Sequence, residues 1–566
     1  MLKQVKHLLD VFDKKIQVRY YAILSLSLLS PLLDLFGFSM VIPVLISAAE
    51  DERAASKKLL MLGVLMLAKG VYDVFMVRLQ ASWQSDCNHI LSTRIFGLLL
   101  YEDMDAHNTR SAGQVLQQTR SDVGTALLIL VNFKHLLVNA LLFLGCAALI
   151  VIAAGPLGTV AFLVLGLLLV CLFRMTRGRM FHLGAEKRQQ EIGLSGMVVN
   201  TYHSYKEAAI DRRKQNLVHS FSLLSETKEK TIKSYLFYQS FSSTILQNIT
   251  QAVVFFVLAA IMTTGFEIGV WASTLVLVLA FVSRMLPAAR TIVSSLNDIR
   301  YSSDAYRSVM ANCRKIEEIE AKKALCSSLR QRRLTLSRGI TLNNVSFAYA
   351  DGPLIFKDLN MEIPAGQFVA VIGRSGSGKT TLLDLIVSLI KPQSGTIRYD
   401  DYDIVSETDT EGPCIGDLGS LVSYMPQSLS FQDDTIRNLV AFMAKPGTVD
   451  DERICDCLKA AMLYDDVMAL PSGLDTLIGS GSVRLSGGQY QRLGLARALY
   501  KDFSLMVMDE GTAALDAEVE EAVFRALRSL GADKTLILVT HHRELAERCD
   551  IIYEIQVQSK NVVRIK

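Results

Sequence analysis

Six apolar runs in the first half of this 566-residue chain constrain its fold more than any other feature. A helix needs about 20 apolar residues to cross the hydrocarbon core of a bilayer, where an open sheet edge would leave backbone groups unpaired. The runs occupy residues 20–45, 59–78, 126–154, 157–173, 245–262 and 270–285. They predict an all-α transmembrane domain with six spans over residues 19–314.

Basic residues indicate how these spans are oriented. The segment 174–233, between the fourth and fifth runs, holds twelve Lys and Arg residues, whereas the connections 154–157 and 263–266 hold none. Basic loops stay on the cytosolic side of a membrane. We therefore expect both termini to be cytosolic, with spans that continue as long helices into the cytosol.

The first 18 residues have a pattern of their own. Apolar side chains recur at helical spacing from Val5 to Ile16, with Lys3, Lys6 and Lys14 between them. This pattern predicts an amphipathic helix over residues 1–18 that lies on the membrane surface. A plain soluble helix is the alternative.

Several ionisable residues fall within or beside the spans. Asp34 lies in the first span, and Lys69 and Asp73 lie one helical turn apart in the second, where they can pair with each other. Three arginines are predicted towards the cytosolic half: Arg78, Arg284 and Arg290. They either extend to the inner interface or line the bundle as a cationic belt for a phosphate or another anionic headgroup.

The chain changes character after a charged linker, residues 315–338. Short strands alternate with helices over residues 339–566, which is typical of an α/β nucleotide-binding domain. An apolar strand leads into Gly373-Arg-Ser-Gly-Ser-Gly-Lys-Thr380, the GxxxxGK[ST] pattern of a phosphate-binding loop. The residues predicted to hold ATP here are Gly373, Ser375, Gly376, Ser377, Gly378, Lys379, Thr380 and Thr381. Lys379 would supply positive charge to the phosphates, and the Thr380 hydroxyl would bind Mg²⁺.

A second apolar strand, residues 504–508, ends in Asp509 and Glu510. Hydrolysis of ATP needs one carboxylate for the metal ion and another that orients or deprotonates the attacking water. We assign the first role to Asp509 and the second to Glu510.

Residues 485–492, Leu-Ser-Gly-Gly-Gln-Tyr-Gln-Arg, resemble the signature of the ABC transporter family. The resemblance implies that Tyr349 stacks on adenine, that Gln427 contributes to the metal site and to catalysis, and that His541 senses the γ-phosphate. His542 is an alternative to His541. The residues implied to contact the ATP held by an opposite subunit, or to lie beside it, are Ser486, Gly487, Gly488, Gln489 and Asp516.

The family resemblance also implies a dimer. The chain has one phosphate loop, one signature and six predicted spans, so it is similar to half-size exporters that clamp two ATP molecules between paired subunits. A homodimer is expected and a heterodimer remains possible. The segment 479–484 departs from the exporter pattern because it lacks an acidic residue, which leaves the contact between ATPase and membrane domains in question.

Within the half-size exporters, the membrane segments 32–43 and 278–289 resemble bacterial flippases for lipid-linked oligosaccharides. This resemblance implies an amphipathic, lipid-linked substrate and a place in the bacterial inner membrane. The first external loop, residues 48–57, is shorter than in those flippases. A multidrug, peptide or lipid exporter is the alternative, followed by a regulator or channel that transports nothing.

Composition gives no indication of a nucleic-acid partner, a zinc site or disulfides. The formal net charge is only +3, which gives no reason to expect a nucleic-acid partner. The nine cysteines form no CxxC pair, so we expect reduced thiols and neither zinc nor disulfides.

Overall fold

The computed structural model describes the chain except residues 51, 103, 212, 264–267, 330–335, 350–351, 405–414, 443, 445–446, 480–482, 484 and 511–516. The chain divides into two compact units. The first comprises Met1–Glu102 and Ala106–Ala321, and the second comprises Asp103–Asp105 and Lys322–Lys566.

The N-terminal part of the chain is helical. Its helices are α1 (Leu2–Asp10), α2 (Lys14–Ser27), α3 (Leu29–Glu50), α4 (Glu52–Tyr101), α5 (Met104–Asn108), α6 (Ala112–Leu116), α7 (Val123–His203), α8 (Tyr205–Ile210), α9 (Lys214–Thr263), α10 (Ile268–Tyr301) and α11 (Ser303–Leu329). Helices α4 and α9 have 50 residues each. At 1.5 Å per residue each is about 75 Å long, more than twice the thickness of a hydrocarbon core. Such helices extend well beyond a membrane, as the sequence predicts.

Three stretches of the described residues are long and apolar enough to cross a membrane. They are Lys14–Gly37, Ser56–Tyr101 and Ala112–Ile152. These stretches overlap the first three predicted spans. The other three predicted spans fall in α7, α9 and α10, where many side chains lie outside the described part of the chain.

Helix α7 is one helical run of 81 residues, which as a straight helix would be about 120 Å long. However, Arg188 near its end donates to Asp122, just before its start, at 3.0 and 3.1 Å. Ile150 and Leu172 also belong to one apolar cluster. The run therefore reverses between Ile150 and Leu172 and forms two antiparallel arms. The predicted turn at 154–157 lies within that interval.

The membrane-surface helix predicted over residues 1–18 needs correction. Helix α1 ends at Asp10, and α2 begins at Lys14 as part of a separate element. Leu8 and Leu9 are fully buried among residues of α4 and of the first arm of α7, in a cluster that includes Trp83 and Leu127. Because protein already covers the apolar face of α1, this face is not available to lipid.

Much of the linker predicted at 315–338 is helical, and the boundary between the two units falls within it. Helix α11 continues from Ser303 to Leu329, so the charged stretch is helical for most of its length. The boundary between the two units falls after Ala321. Charged residues are frequent in exposed helices as well as in linkers, and charge alone did not distinguish the two.

A polar network links the helices of the first unit. Arg188 on the second arm of α7 contacts Asp122, Asp304 and the Ser308 hydroxyl. Asp122 is 1% exposed and ends a π-helical turn, Gln117–Asp122, that separates α6 from α7. An ion pair this deeply buried must be satisfied on both sides, so this network ties the two arms of α7 to α11.

The second unit contains three sheets. Its strands are β1 (Gly339–Ala348), β2 (Leu354–Pro364), β3 (Phe368–Ile372), β4 (Ser394–Tyr399), β5 (Tyr402–Asp403), β6 (Val422–Met425), β7 (Asp434–Thr435), β8 (Leu477–Ile478), β9 (Leu505–Asp509), β10 (Thr535–Val539), β11 (Ile551–Gln556) and β12 (Asn561–Arg564). Six strands form one sheet in the order β12-β11-β3-β10-β9-β6, and β2-β1-β4-β5 form an antiparallel sheet. Strands β7 and β8 form a small antiparallel pair.

Helices flank these sheets. They are α12 (Lys379–Ile386), α13 (Ile415–Leu421), α14 (Ile436–Ala441), α15 (Asp451–Ala460), α16 (Tyr464–Met468), α17 (Gly487–Tyr500), α18 (Ala517–Ser529) and α19 (Arg543–Glu547). Strand β3 alternates between two apolar cores. Phe368 and Ala370 pack against the helical side, and Val369 and Val371 pack against the antiparallel sheet. Parallel strands buried on both faces read as continuous apolar runs, which is how β3 and β9 appear in the sequence.

The buried pair of Arg188 and Asp122 should contribute strongly to the stability of the first unit. We expect Asp122→Ala to lower its free energy of unfolding by about 3 kcal/mol, because Arg188 would lose its most buried partner. Thermal melting of the detergent-solubilised protein measures the change. Lys230→Ala is the control, since Lys230 pairs with Glu226 where both side chains are more than half exposed; it should cost no more than about 0.5 kcal/mol. Equal melting temperatures for the two variants would contradict this prediction.

Candidate functional site

The phosphate loop connects β3 to α12, at the carboxyl end of a central strand. Gly376 and Gly378 have φ values of 76° and 98°, in the left-handed region that favours glycine. A Cβ at Gly378 would also meet Ile355 Cγ2 at 2.8 Å. Lys379 at the start of α12 donates to the carbonyl oxygens of Gly373 and Arg374 at 3.1 and 3.2 Å. The loop therefore wraps the lysine ammonium group at a helix N-terminus, an arrangement suited to phosphate.

Two features of the loop fit an anionic ligand. The Ser377 hydroxyl is buried and has no hydrogen-bond partner among the described residues, although a buried hydroxyl normally has one. Ser375 is exposed beside it. A phosphate oxygen in the loop would accept the Ser377 hydrogen bond.

The residues predicted for the metal ion lie together. The Thr380 hydroxyl donates to Asp509 Oδ2 at 2.8 Å, which joins the first turn of α12 to the end of β9. Gln427 donates its side-chain NH₂ to Glu510 and keeps an amide oxygen for a further ligand. Hydroxyl, carboxylate and amide oxygens suit Mg²⁺, so these residues fit the ion.

Glu510 is the centre of the candidate catalytic group. Its carboxylate accepts from Gln427 at 2.8 Å and lies 3.7 Å from Lys379 Nζ and 3.9 Å from His541 Nδ1. Its backbone φ is 50°, which is unusual for a non-glycine residue. Strained backbone of this kind is concentrated at functional sites. The structure thus brings together Glu510, Gln427, Lys379 and His541, as the sequence predicts.

The two adjacent histidines have different partners. His541 faces Glu510, whereas His542 Nδ1 lies 3.5 Å from Glu520 Oε2. This geometry favours His541 over His542 as the residue that senses the γ-phosphate.

Buried acids surround the metal position. Burial raises the pKa of Asp509, and the Thr380 hydrogen bond opposes that shift. Burial, together with the Asp509 charge, raises the pKa of Asp384 to about 6. Asp384 was missed in the sequence, although a lone acid one turn after Thr380 in an apolar helix was a usable signal. A bound cation would favour the charged form of both acids.

The remaining predicted ATP contacts lie in different places. The Tyr349 hydroxyl is 3.2 Å from the Thr381 hydroxyl, so the aromatic ring lies beside α12. Ser486 caps α17, where its side chain accepts from Gln489 N and Gln489 Oε1 accepts from Ser486 N. None of the described contacts of Ser486 or Gln489 reaches the phosphate loop. Asp516 and most of the segment 479–484 lie outside the described residues.

Known proteins resemble this chain in both sequence and fold. Residues 356–513 match the ABC transporter family model. The whole chain also superposes on a bacterial Atm1-family ABC exporter with ATP bound, with a TM-score of 0.74 and 20% identity over 97% of this chain and 94% of that one.

The protein has the fold of a half-size ABC exporter. This result confirms the predicted fold class, a helical transmembrane domain followed by an α/β nucleotide-binding domain.

Curated proteins with similar sequence include ATP-dependent lipid A-core flippases. That of Burkholderia pseudomallei is 37% identical over 219 residues, which is 38% of this chain and 35% of the relative. That of Pectobacterium atrosepticum is 36% identical over 228 residues, 40% of this chain and 38% of the relative. The matched part is thus little more than a third of the relatives' own length.

The ionisable residues singled out within or beside the predicted spans fall into two groups. Lys69 Nζ lies 3.0 Å from Asp73 Oδ2, which confirms the predicted pair, and 3.1 Å from Asp34 Oδ2. Asp73 also accepts from the Ser30 hydroxyl at 2.8 Å. Lys69 therefore joins α3 to α4 through two carboxylates, and this arrangement gives Asp34 a structural role.

The three arginines of the predicted cationic belt differ from this group. Arg78 on α4, and Arg284 and Arg290 on α10, all have exposed side chains. Asp34 and Arg284 both act electrostatically on Cys146, which places Arg284 near the first arm of α7. Their exposure leaves them accessible to an anionic group.

The raised pKa of Asp384 has a testable consequence. Because its pKa in the folded protein, about 6, exceeds the ordinary value of 3.8, the unfolded chain releases this proton first. The free energy of unfolding should therefore fall as pH rises from about 4 to 6, with the full cost present above 6.

We expect Asp384→Asn to raise stability by about 2 kcal/mol at pH 8 and by much less at pH 4.5. Thermal melting without Mg²⁺ across this range measures the difference, with the exposed Asp456→Asn as control. A gain that does not change with pH would contradict the raised pKa.

Proposed function

We propose that the protein hydrolyses ATP and uses the energy to move an amphipathic lipid outward across the bacterial inner membrane. The observation that carries this proposal is the group around Glu510, where Lys379, Gln427 and His541 surround one carboxylate beside a phosphate loop. The exporter fold supports the coupling to transport.

Each residue of this group has a defined task. The loop amides and Lys379 bind the β- and γ-phosphates, and Glu510 accepts a proton from the attacking water or orients it. Gln427 fixes the Glu510 carboxylate, and His541 contacts the terminal phosphate. Thr380, Asp509 and Gln427 would hold Mg²⁺, which neutralises charge on the phosphates when bound.

We further propose that the active unit is a dimer of this chain. Ser486 and Gly487 are exposed, and among the described residues the side-chain hydrogen bonds of Ser486 and Gln489 join these two residues to each other. Each phosphate loop would be completed by the signature of the opposite subunit. A homodimer then has two equivalent sites, and a heterodimer with a related chain would satisfy the same geometry.

For the transported molecule, we propose a lipid with a phosphate or pyrophosphate headgroup, such as a lipid-linked oligosaccharide. Arg78, Arg284 and Arg290 supply exposed positive charge on the membrane helices. A phosphate crossing the bilayer needs cationic partners that shield it from hydrocarbon. Relatives named as lipid A-core flippases support a lipid substrate in general and not this headgroup in particular. Export of drugs or peptides is the competing function.

Glu510→Gln tests the catalytic assignment. The amide keeps the size and the hydrogen bond but cannot accept a proton, so we expect ATP hydrolysis to fall by at least about 100-fold. ATP affinity, measured with a fluorescent nucleotide, should stay within about threefold. Glu554→Gln, on β11, is the matched control and should retain full activity. Normal turnover in Glu510→Gln would remove this residue from its role.

The Arg284→Gln/Arg290→Gln double variant tests the substrate. In proteoliposomes we expect a polyprenyl-pyrophosphate-linked glycan to stimulate the wild-type ATPase. The concentration that gives half-maximal stimulation should be roughly tenfold higher for the double variant. Basal ATPase should be unchanged, and Lys230→Gln should behave as wild type. Lipid A-core and an uncharged amphipathic drug are the comparison ligands. Stimulation by the drug alone would favour the multidrug alternative.

A further inference from the structure

We propose that Glu520 and His542 form a positioning pair that holds His541 towards the catalytic carboxylate of Glu510. This inference rests on the proposed ATP hydrolysis and adds two residues that do not touch the nucleotide. It starts from the difference between the two adjacent histidines.

His541 needs support from its surroundings. It lies on the connection between β10 and α19, and its side chain is 55% exposed. A half-exposed side chain on a loop samples several rotamers, whereas hydrolysis requires one orientation towards the terminal phosphate. Its Nδ1 is nevertheless 3.9 Å from Glu510 Oε1.

His542 is the neighbour that can restrict His541. The two imidazole rings meet edge to face, with centroids 4.4 Å apart and an interplanar angle of 87°. This is a favoured arrangement for two rings, and it limits the rotation of His541. The backbone N–H of His542 also donates to the Thr540 hydroxyl at 3.0 Å, which fixes the turn between the strand and α19.

Glu520 in turn fixes His542. Its Oε2 lies 3.5 Å from His542 Nδ1, and its side chain is only 12% exposed. The other oxygen, Oε1, is buried and has no hydrogen-bond partner among the described residues. A buried carboxylate without partners is costly, so the contact with His542 Nδ1 is favoured.

The support is rigid because Glu520 lies on a core helix. On α18, Val523, Phe524 and Leu527 are 1%, 7% and 5% exposed and pack under the central sheet. A chain of contacts therefore runs from this core through Glu520 and His542 to His541 and Glu510.

Substitutions of Glu520 distinguish a role in positioning His541 from a role in stability alone. We expect Glu520→Ala to lower kcat for ATP about tenfold while KM changes less than twofold, because the nucleotide contacts remain. Glu520→Gln keeps an acceptor oxygen and should restore kcat to within about twofold. Glu518→Ala, an exposed acid on the same helix, is the matched control.

Substitution of His542 tests the same contact between Glu520 and His542. His542→Phe keeps a ring beside His541 but loses the Nδ1 donor, and it should resemble Glu520→Ala. The double variant Glu520→Leu/His542→Phe should be no worse than either single variant, because both residues act through one contact. Additive losses would overturn the pair, as would wild-type kcat in Glu520→Ala.

A structural readout keeps this inference separate from the proposed function. Cryo-electron microscopy of the full-length Glu520→Ala protein should show His541 in a different rotamer, with the 3.9 Å approach to Glu510 lost. An unchanged His541 would refute the positioning role. A wild-type protein that cannot hydrolyse ATP would contradict the proposed function. The comparison of the His541 rotamer between the wild type and Glu520→Ala would still test the positioning role.

Discussion

Burial of β3, β10 and β9 on both faces is the constraint on which the functional site depends. These strands are parallel and adjacent in the order β3-β10-β9, so their carboxyl ends meet at one edge of the sheet. The phosphate loop follows β3, Asp509 ends β9, and His541 follows β10. Two apolar cores fix the register of all three strands, and a shift by one residue would move each buried side chain into the opposite core. The catalytic group is therefore positioned by apolar packing rather than by its own polar contacts.

The same packing buries acids at the site, and burial makes their ionisation unfavourable. Asp509 and Asp384 are 3% and 8% exposed, and burial raises the pKa of both. Two neighbouring acids that resist ionisation make a strong site for a divalent cation, because the cation relieves the cost. Lys379 is held by loop carbonyls and lies close to Glu510, so its charge is directed towards the position of the phosphates. The burial that destabilises these charges would therefore favour binding of a divalent cation.

Much of this arrangement could be predicted from the sequence, because the relevant signals are local. The apolar strand before Gly373, the glycines of the loop and the Asp509–Glu510 pair all lie in short, ordered motifs. Sequence patterns do not predict which distant segment of the chain will pack against a given surface. The pattern of α1 shows an apolar face but not that Trp83 and Leu127 cover it. Likewise, Lys69 could be paired with Asp73 on its own helix, whereas its contact with Asp34 depends on how α3 and α4 pack.

Sequence spacing alone does not distinguish His541 from His542, whereas their tertiary contacts do. In the sequence the two residues differ only by one position, and either could reach a phosphate. In the fold, α18 supplies a buried acid on one side and β9 supplies Glu510 on the other, so the two imidazoles receive different partners. An exposed histidine facing a catalytic carboxylate can respond to a ligand, whereas one held by a buried acid cannot move without exposing that charge. The pair therefore places one exposed imidazole beside Glu510 and, behind it, a second imidazole that a buried acid holds and that limits the rotation of the first.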